Sequence, residues 1–320
     1  MNMNTNCPVC DTHHESADSF TVKEMLYGTG TEFRYVLCNW CGCVFLAEVP
    51  SDIGKYYQGY YTGSKQYYRL GKLKKIFWRT RSRLAVAGLF PLIHIFSYNT
   101  MLHWAYLAKI KFNSPILDVG CGNGDILFEF SKHGFTNLTG IDPYPQGEKS
   151  SLFQWNFEKT DMPEFNTQQK FDLIMFNHSL EHVPDHESIL KKCKSLLTDK
   201  GMVMIRIPIV NKAFSDYREN WVQLDAPRHL LLHSLKSFRH LCDKAGYGVE
   251  KIFYDSTELQ FMGSEQYKRG IPLYSEKSYK SVGSAGIFTS SEMESFRKKA
   301  KEYNKKGFGD QAVFFIRKVK

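Results

Sequence analysis

The stretch ILDVGCGNGD, Ile116 to Asp125, constrains this chain more than any other. A short apolar run, Ile116 to Val119, ends in glycines. Apolar residues then recur at helical spacing at Ile126, Leu127 and Phe130, before Gly134. The stretch therefore reads as a buried strand turning directly into a helix. Gly120 and Gly122 let the chain turn sharply and bring backbone N–H groups against a ligand. Asp118, at the strand end, can accept a hydrogen bond from a ligand's ammonium group. Roughly 20 residues beyond the loop, the spacing of nucleotide-binding units, Asp142 ends a second strand, Leu138 to Ile141. A carboxylate there can take both hydroxyls of a ribose. The glycines run Gly120-x-Gly122-x-Gly124 behind an acid, not GxGxxG. Such a loop implies no pyrophosphate, which Asp118 would repel, and so speaks against a dinucleotide.

The rest of the C-terminal region alternates strands and helices. Further strands are expected at Leu152 to Phe157, Phe171 to Phe176, Met202 to Ile207, Val249 to Tyr254 and Ala312 to Arg317. Asp185 and Ser234 are placed to cap helices that Gly201 and Gly246 follow, and Ser290 to Lys306 reads as another helix. The expected class is α/β: a Rossmann-like, doubly wound sheet of seven mostly parallel strands with helices on both faces. Ligands of such sheets bind beyond the carboxyl ends of the strands, where the strand order reverses.

A second motif, FDLIMFNHSLEHV (Phe171 to Val183), carries a strand whose end presents Asn177 and His178 to that cleft. Together DVGCGNG, the IDP acid and FDLIMFNHSLEHV resemble class I S-adenosylmethionine-dependent methyltransferases. WVQLDAPRHLLLHS (Trp221 to Ser234) is similar to a branch found among bacterial methyltransferases of glycan and natural-product pathways. The resemblance spans roughly residues 113–320. It implies that Asp118, Gly120, Gly122 and Gly124 surround the methionine part of S-adenosylmethionine, that Asp142 holds its ribose, and that Pro143 lies near its adenine. Phe157 and Glu158 fall where the family meets the adenine edge, although the GD that precedes that point in the family is missing here. Asn177 and His178 would line the floor beside the sulfonium.

Eight cysteines include two CxxC knuckles, Cys7/Cys10 and Cys38/Cys41. Two such knuckles close a tetrahedron of thiolates around zinc. With all four positions filled by protein, the ion would be structural. The residues between the knuckles read as a small hairpin ribbon with little core of its own. Cys43 can replace Cys41, His13 and His14 can compete, and a redox pair is the other use of such spacing. Cys121, Cys193 and Cys242 fall on core elements. The chain thus divides into a zinc-binding ribbon (1–48), a tyrosine-rich and basic linker or cap (49–112), and a methyltransferase domain (113–320).

Methyl transfer is an in-line displacement with an excellent leaving group. The protein's task is to hold the nucleophile in line, with a base if the acceptor is a hydroxyl or a carbon acid. His178 and His229 are the candidate bases, with Glu181 a further option. His182 reads as a packing residue, and His233 as a weaker version of His229. The acceptor pocket is expected from Ile209 to His233, Ser256 to Thr289 and Tyr56 to Tyr68.

The net charge of +9 favours an acidic partner,. The expected acceptor is a small molecule, a sugar, nucleotide-sugar or glycan precursor bearing phosphate. The alternative is an RNA or protein methyltransferase that uses the ribbon for recognition. Against it, the ribbon is not strongly basic, and no NPPY-like tetrapeptide follows the fourth strand. No secretory signal opens the sequence. Its most apolar stretch, Leu84 to Phe96, falls short of the roughly 20 residues needed to span a bilayer. A cytoplasmic protein with at most peripheral membrane contact is the expectation.

Overall fold

The computed structural model describes residues 5–14, 18–57, 71–84, 100–144, 155–282 and 287–319. The large sheet has seven strands: β6 (Ile116–Val119), β7 (Leu138–Ile141), β8 (Asn156–Glu158), β9 (Phe171–Asn177), β10 (Leu197–Pro208), β12 (Tyr247–Tyr254) and β13 (Gln311–Lys318). Their spatial order is β12-β13-β10-β9-β6-β7-β8. Only β13 runs against its neighbours, β10 and β12, so the sheet is mixed. From β6 the chain winds outward through β7 to β8, then crosses back to lay β9 on the other side of β6. The order therefore reverses between β6 and β9. Asp118 and Val119 end one of these strands and Asn177 ends the other.

Alternating apolar residues bury both faces of the sheet. Leu117, Val119, Ile174 and Phe176 face the helices His186–Leu196 and Leu235–Ala245. Ile116, Leu173 and Met175 face the helices Thr100–Ala108 and Asp125–Lys132. The Phe238 and Phe314 rings stack at 3.9 Å on the first face, and Trp104 is buried on the second. Cys121, Cys193 and Cys242 are buried, as expected of core positions.

Three strands run one or two residues past their expected ends, and two others, the third and the fifth, differ more. The third is Asn156–Glu158, and residues 152–154 of the expected run lie outside the described residues. The fifth begins at Leu197, not Met202. Leu197 pairs with Phe171, and the ladder slips across the polar residues 198–201 before regular pairing resumes at Met202. That slip breaks the apolar alternation by which a strand start is read. Residues 58–68 of the tyrosine-rich stretch and 85–96 of the apolar one also lie outside the described residues. Among the described residues no helix is long and apolar enough to cross a membrane.

The N-terminal part forms a two-stranded pair, β1 (Thr5–Asn6) with β2 (His13–His14), and a four-stranded antiparallel sheet. That sheet comprises β3 (Ser19–Lys23), β4 (Glu32–Leu37), β5 (Val44–Leu46) and an edge strand from far along the chain, β11 (Leu231–Leu232). Leu231 pairs with Phe45 and Leu232 with Val44. Just beyond, Ser234 caps the helix Leu235–Ala245 by accepting from Ser237 N at 3.0 Å, while its hydroxyl donates to the Cys41 carbonyl at 2.5 Å. One side chain thus serves both parts. Ser234→Ala removes the cap and the cross-link together and should cost about 1–2 kcal/mol, read as a lower urea midpoint at unchanged m-value.

Candidate active site and thiol cluster

The glycine loop is built from backbone that only glycine adopts cheaply. Gly120, Gly122 and Gly124 all have positive φ, at 71°, 53° and 82°,. Space also excludes side chains: a Cβ on Gly120 would lie 2.4 Å from Ser179 Cβ, and one on Gly124 2.8 Å from Trp155. Asp142 holds the loop from below. Its two carboxylate oxygens accept from Gly122 N and Tyr144 N, each at 2.8 Å. Ser179 donates to the Val119 carbonyl at 2.6 Å, which ties the β9 side of the cleft to the β6 side. Phe157 and Glu158 lie on β8, and Asp142 N reaches the Glu158 carbonyl at 3.3 Å. The β8 edge therefore sits directly beside the Asp142 end of the cleft, with Pro143 next along the chain.

Asp118 is buried. Burial, and then the nearby Asp142 carboxylate, push its carboxyl up to about 8. The pocket is short of positive charge at the place where a ligand's ammonium is expected.

Across the cleft, His178 sits at the end of β9 in left-handed backbone, φ 54°. Its side chain is one third exposed, and Nδ1 lies 3.3 Å from Glu181 Oε1. The Asn177 side-chain oxygen Oδ1 accepts from Arg206 at 3.2 Å. Glu181 is buried. Burial alone would raise its carboxyl, but the His178 hydrogen bond and the nearby His182 and His229 hold it at about 2. His229 is also buried. Its Nδ1 lies 2.7 Å from the Gln223 carbonyl, and its Nε2 lies 4.0 Å from Glu181 Oε1 and 3.8 Å from Asp225. His182 packs edge-on against it, with ring centroids 4.9 Å apart. Burial, then His229, lowers His182 to about 4. The three candidate bases are thus one connected group, with His178 at the cleft and Glu181 and His229 behind it.

A buried ion network supports this wall. Arg228 is fully enclosed; it donates to Asp225 Oδ1 at 2.6 Å, Glu24 Oε1 at 2.9 Å and the Tyr56 carbonyl at 3.2 Å. Glu24 also accepts from the backbone N–H groups of Leu26, Tyr27 and Thr29. Tyr35 OH donates to the His229 carbonyl at 2.9 Å, and Leu230 N to the Glu181 carbonyl at 2.8 Å. Residues of the N-terminal sheet therefore hold the segment that carries His229. Glu24, Asp225 and Arg228 were not singled out in the sequence. Buried charges split between two remote segments leave no local pattern, and the only signal was the DAPRH run itself.

In the N-terminal part, one sulfur from each of Cys7, Cys10, Cys38 and Cys41 lies within 4.8 Å of the others. Cys7 and Cys41 are 3.7 Å apart, Cys10 and Cys38 3.5 Å. Sulfurs on a zinc tetrahedron stand about 3.8 Å apart, given Zn–S bonds of about 2.3 Å, so the cluster has the size to hold such an ion. Cys43 is buried against it, 3.4 Å from Cys7 and 3.5 Å from Cys41. His13 points instead to Asn6, while His14 bonds Asp18 through Nδ1 and also lies against Cys38.

A seven-stranded sheet with a glycine loop at its reversal point and two acids beside that loop is an arrangement common to nucleotide-binding α/β domains,. Residues 96–252 match the family model described as "Methyltransferase domain", and this region is a class I S-adenosylmethionine-dependent methyltransferase domain. The chain is 31% identical over 144 residues to the ubiquinone biosynthesis O-methyltransferase of Actinobacillus pleuropneumoniae, covering 41% of this chain and 60% of that protein. It is 28% identical over 133 residues to trans-aconitate 2-methyltransferase of Escherichia coli, covering 40% and 46%. The chain thus spans about half the length of these relatives. Among solved structures it is similar to the 1,6-didemethyltoxoflavin-N1-methyltransferase of Burkholderia thailandensis, which holds S-adenosylhomocysteine. That likeness has a TM-score of 0.45 at 14% identity, over 90% of this chain and 96% of that one.

The raised Asp118 gives a signed pH dependence. Below about pH 8 the carboxyl is protonated in the ligand-free protein. An arriving ammonium favours the carboxylate, so binding releases a proton. Affinity for S-adenosylhomocysteine should rise with pH, by up to about tenfold per unit, and level off above the Asp118 value. Without ligand, the folded chain holds a proton that the unfolded chain sheds, so Asp118 makes the fold less stable as pH climbs through the same window. Calorimetry in buffers of different ionisation enthalpy measures the proton release, and Asp118→Asn should flatten the affinity slope.

Proposed function

We propose that this chain transfers the methyl group of S-adenosylmethionine to a small-molecule acceptor, a sugar, nucleotide-sugar or glycan precursor. The observation that carries the transfer reading is the pairing of Asp118 and Asp142 under one glycine loop, facing His178 across the point where the strand order reverses. Support for the acceptor class comes from the WVQLDAPRHLLLHS stretch and from the net charge of +9, which suits a phosphate-bearing handle,.

The cradle fits the cofactor. Asp118 and the loop of Gly120, Gly122 and Gly124 would hold the amino-acid part, Asp142 the ribose, and Pro143, Phe157 and Glu158 the adenine. Asn177 would lie beside the sulfonium. S-adenosylmethionine supplies a methyl group on a leaving group that needs no protonation. What remains for the protein is alignment of the acceptor and removal of its proton. We assign the proton to His178. Glu181, held as a carboxylate, orients its Nδ1–H, which leaves Nε2 on the cleft side to take the proton from the acceptor oxygen. His178→Gln should lower kcat by roughly 10²–10⁴-fold and leave S-adenosylhomocysteine affinity within a few-fold. The assay is mass spectrometry of sugar-nucleotide mixtures incubated with a methyl-labelled donor. Labelling of RNA or bulk protein, with none in the sugar library, would overturn the acceptor class.

The four-cysteine cluster is read as a structural zinc site. Closing two knuckles supplies the fold energy that a segment this small lacks. One zinc per chain should be released by a thiol-modifying reagent. Cys38→Ser should lose it and lower Tm by roughly 5 °C or more, by scanning calorimetry.

A further inference from the structure

The cluster behind His178 carries more than a base. We propose that Glu181, His182 and His229 bind a divalent metal ion beside the methyl acceptor, apart from the cysteine cluster, with coordination positions left open for acceptor oxygens. A carboxylate oxygen of Glu181 and one ring nitrogen from each histidine lie within 4.8 Å of one another. Two imidazoles and one carboxylate form a donor set that suits first-row divalent metals.

Three further observations point to a cation there. The first is the proton placement on the histidines. His182 Nδ1 lies 2.9 Å from the Arg228 carbonyl, and His229 Nδ1 lies 2.7 Å from the Gln223 carbonyl. A carbonyl only accepts, so each Nδ1 carries a proton, and Nε2 is the ring nitrogen through which each neutral imidazole can ligate. Backbone carbonyls behind the imidazole are the usual support of a metal-ligating histidine. The second is what that nitrogen faces on His229. His229 Nε2 is 4.0 Å from Glu181 Oε1 and 3.8 Å from Asp225 Oδ2. Two carboxylates converging on one imidazole nitrogen make a negative pocket, and a cation among them balances it. The third is Glu181 itself. Oε1 is taken by His178, while Oε2 is buried without a hydrogen-bond partner. An orphaned buried carboxylate oxygen is costly, and an ion satisfies it.

The inference deepens the methyl-transfer reading and rests on it for the ion's role. Glu181 links the site to His178, so the ion would sit one side chain from the group that faces the acceptor. An acceptor that offers a hydroxyl or carboxylate oxygen could occupy an open position, and a coordinated hydroxyl loses its proton more readily. This selects oxygen-bearing acceptors over amines.

The test uses the full chain loaded with zinc and freed of excess metal, titrated with Mn²⁺ and followed by the paramagnetic resonance of the free ion. Manganese prefers oxygen and nitrogen ligands and does not compete for thiolates, so the cysteine cluster stays out of the measurement. The expected result is one Mn²⁺ per chain, with Glu181→Gln and His229→Gln each weakening it at least about tenfold while S-adenosylhomocysteine still binds. Wild-type protein that binds S-adenosylhomocysteine but takes up no Mn²⁺ at millimolar concentration overturns the metal site and leaves the methyltransferase reading standing. Uptake that survives in a folded His229→Gln variant also overturns it. Should both variants fail to fold, the wild-type titration alone decides. Loss of S-adenosylhomocysteine binding in the wild type would sink the methyl-transfer reading independently of the metal.

Discussion

The His178 side of the cleft depends on one buried cation. Arg228 has no access to water, and its charge is balanced by Asp225 three residues away and by Glu24 from the N-terminal sheet. Removing one partner from such a set typically costs about 3–5 kcal/mol, because the charge left behind is stranded in a poor solvent. Here the damage would also be geometric. Arg228 offers its carbonyl to His182 and precedes His229, so its position sets where both rings stand. The rings in turn surround Glu181, and Glu181 orients His178. A single guanidinium thus connects the N-terminal hairpin to the cleft.

The donor side is organised by the opposite imbalance. Asp118 and Asp142 place two acids near each other with glycines between them and the cleft, and burial keeps Asp118 protonated near neutrality. Asp142 is occupied by two backbone N–H groups of the turn it supports. One acid therefore shapes the loop, and the other is left buried without a charged partner. The two sides of the cleft handle charge differently: a balanced buried network braces the His178 side, and a neutralised acid lies under the glycine loop.

Much of this was legible in the sequence because it is encoded locally. The glycine loop, Asp142 and the strand end at Asn177 and His178 lie where their spacing placed them, since a buried parallel strand and a strand-to-helix turn each leave a short-range pattern. The caps at Asp185 and Ser234 were readable for the same reason. What could not be read was long-range. Nothing in LLLHS announces that Leu231 and Leu232 complete a sheet begun by β3 to β5, because a two-residue edge strand has no period. His182 looked like a packing residue, and only the carbonyls behind His182 and His229 reveal that Nδ1 of each ring carries a proton. Cys43 remained one of several alternatives in the sequence; the structure sets it against the four sulfurs as a fifth thiol.

The pairing of β11 with β5 has a further implication. The same ten residues, from Asp225 to Ser234, close the hairpin sheet on one side and carry His229 to the buried side of Glu181 on the other. Any change in the shape of the hairpin is passed to His229 through Tyr35 and the β11 backbone. Descendants of this chain could therefore adjust which acceptor they admit by altering β3 to β5, at a distance from the reacting atoms and without touching the glycine loop. In this architecture the small appended sheet is a place where specificity can be tuned while the donor pocket stays fixed.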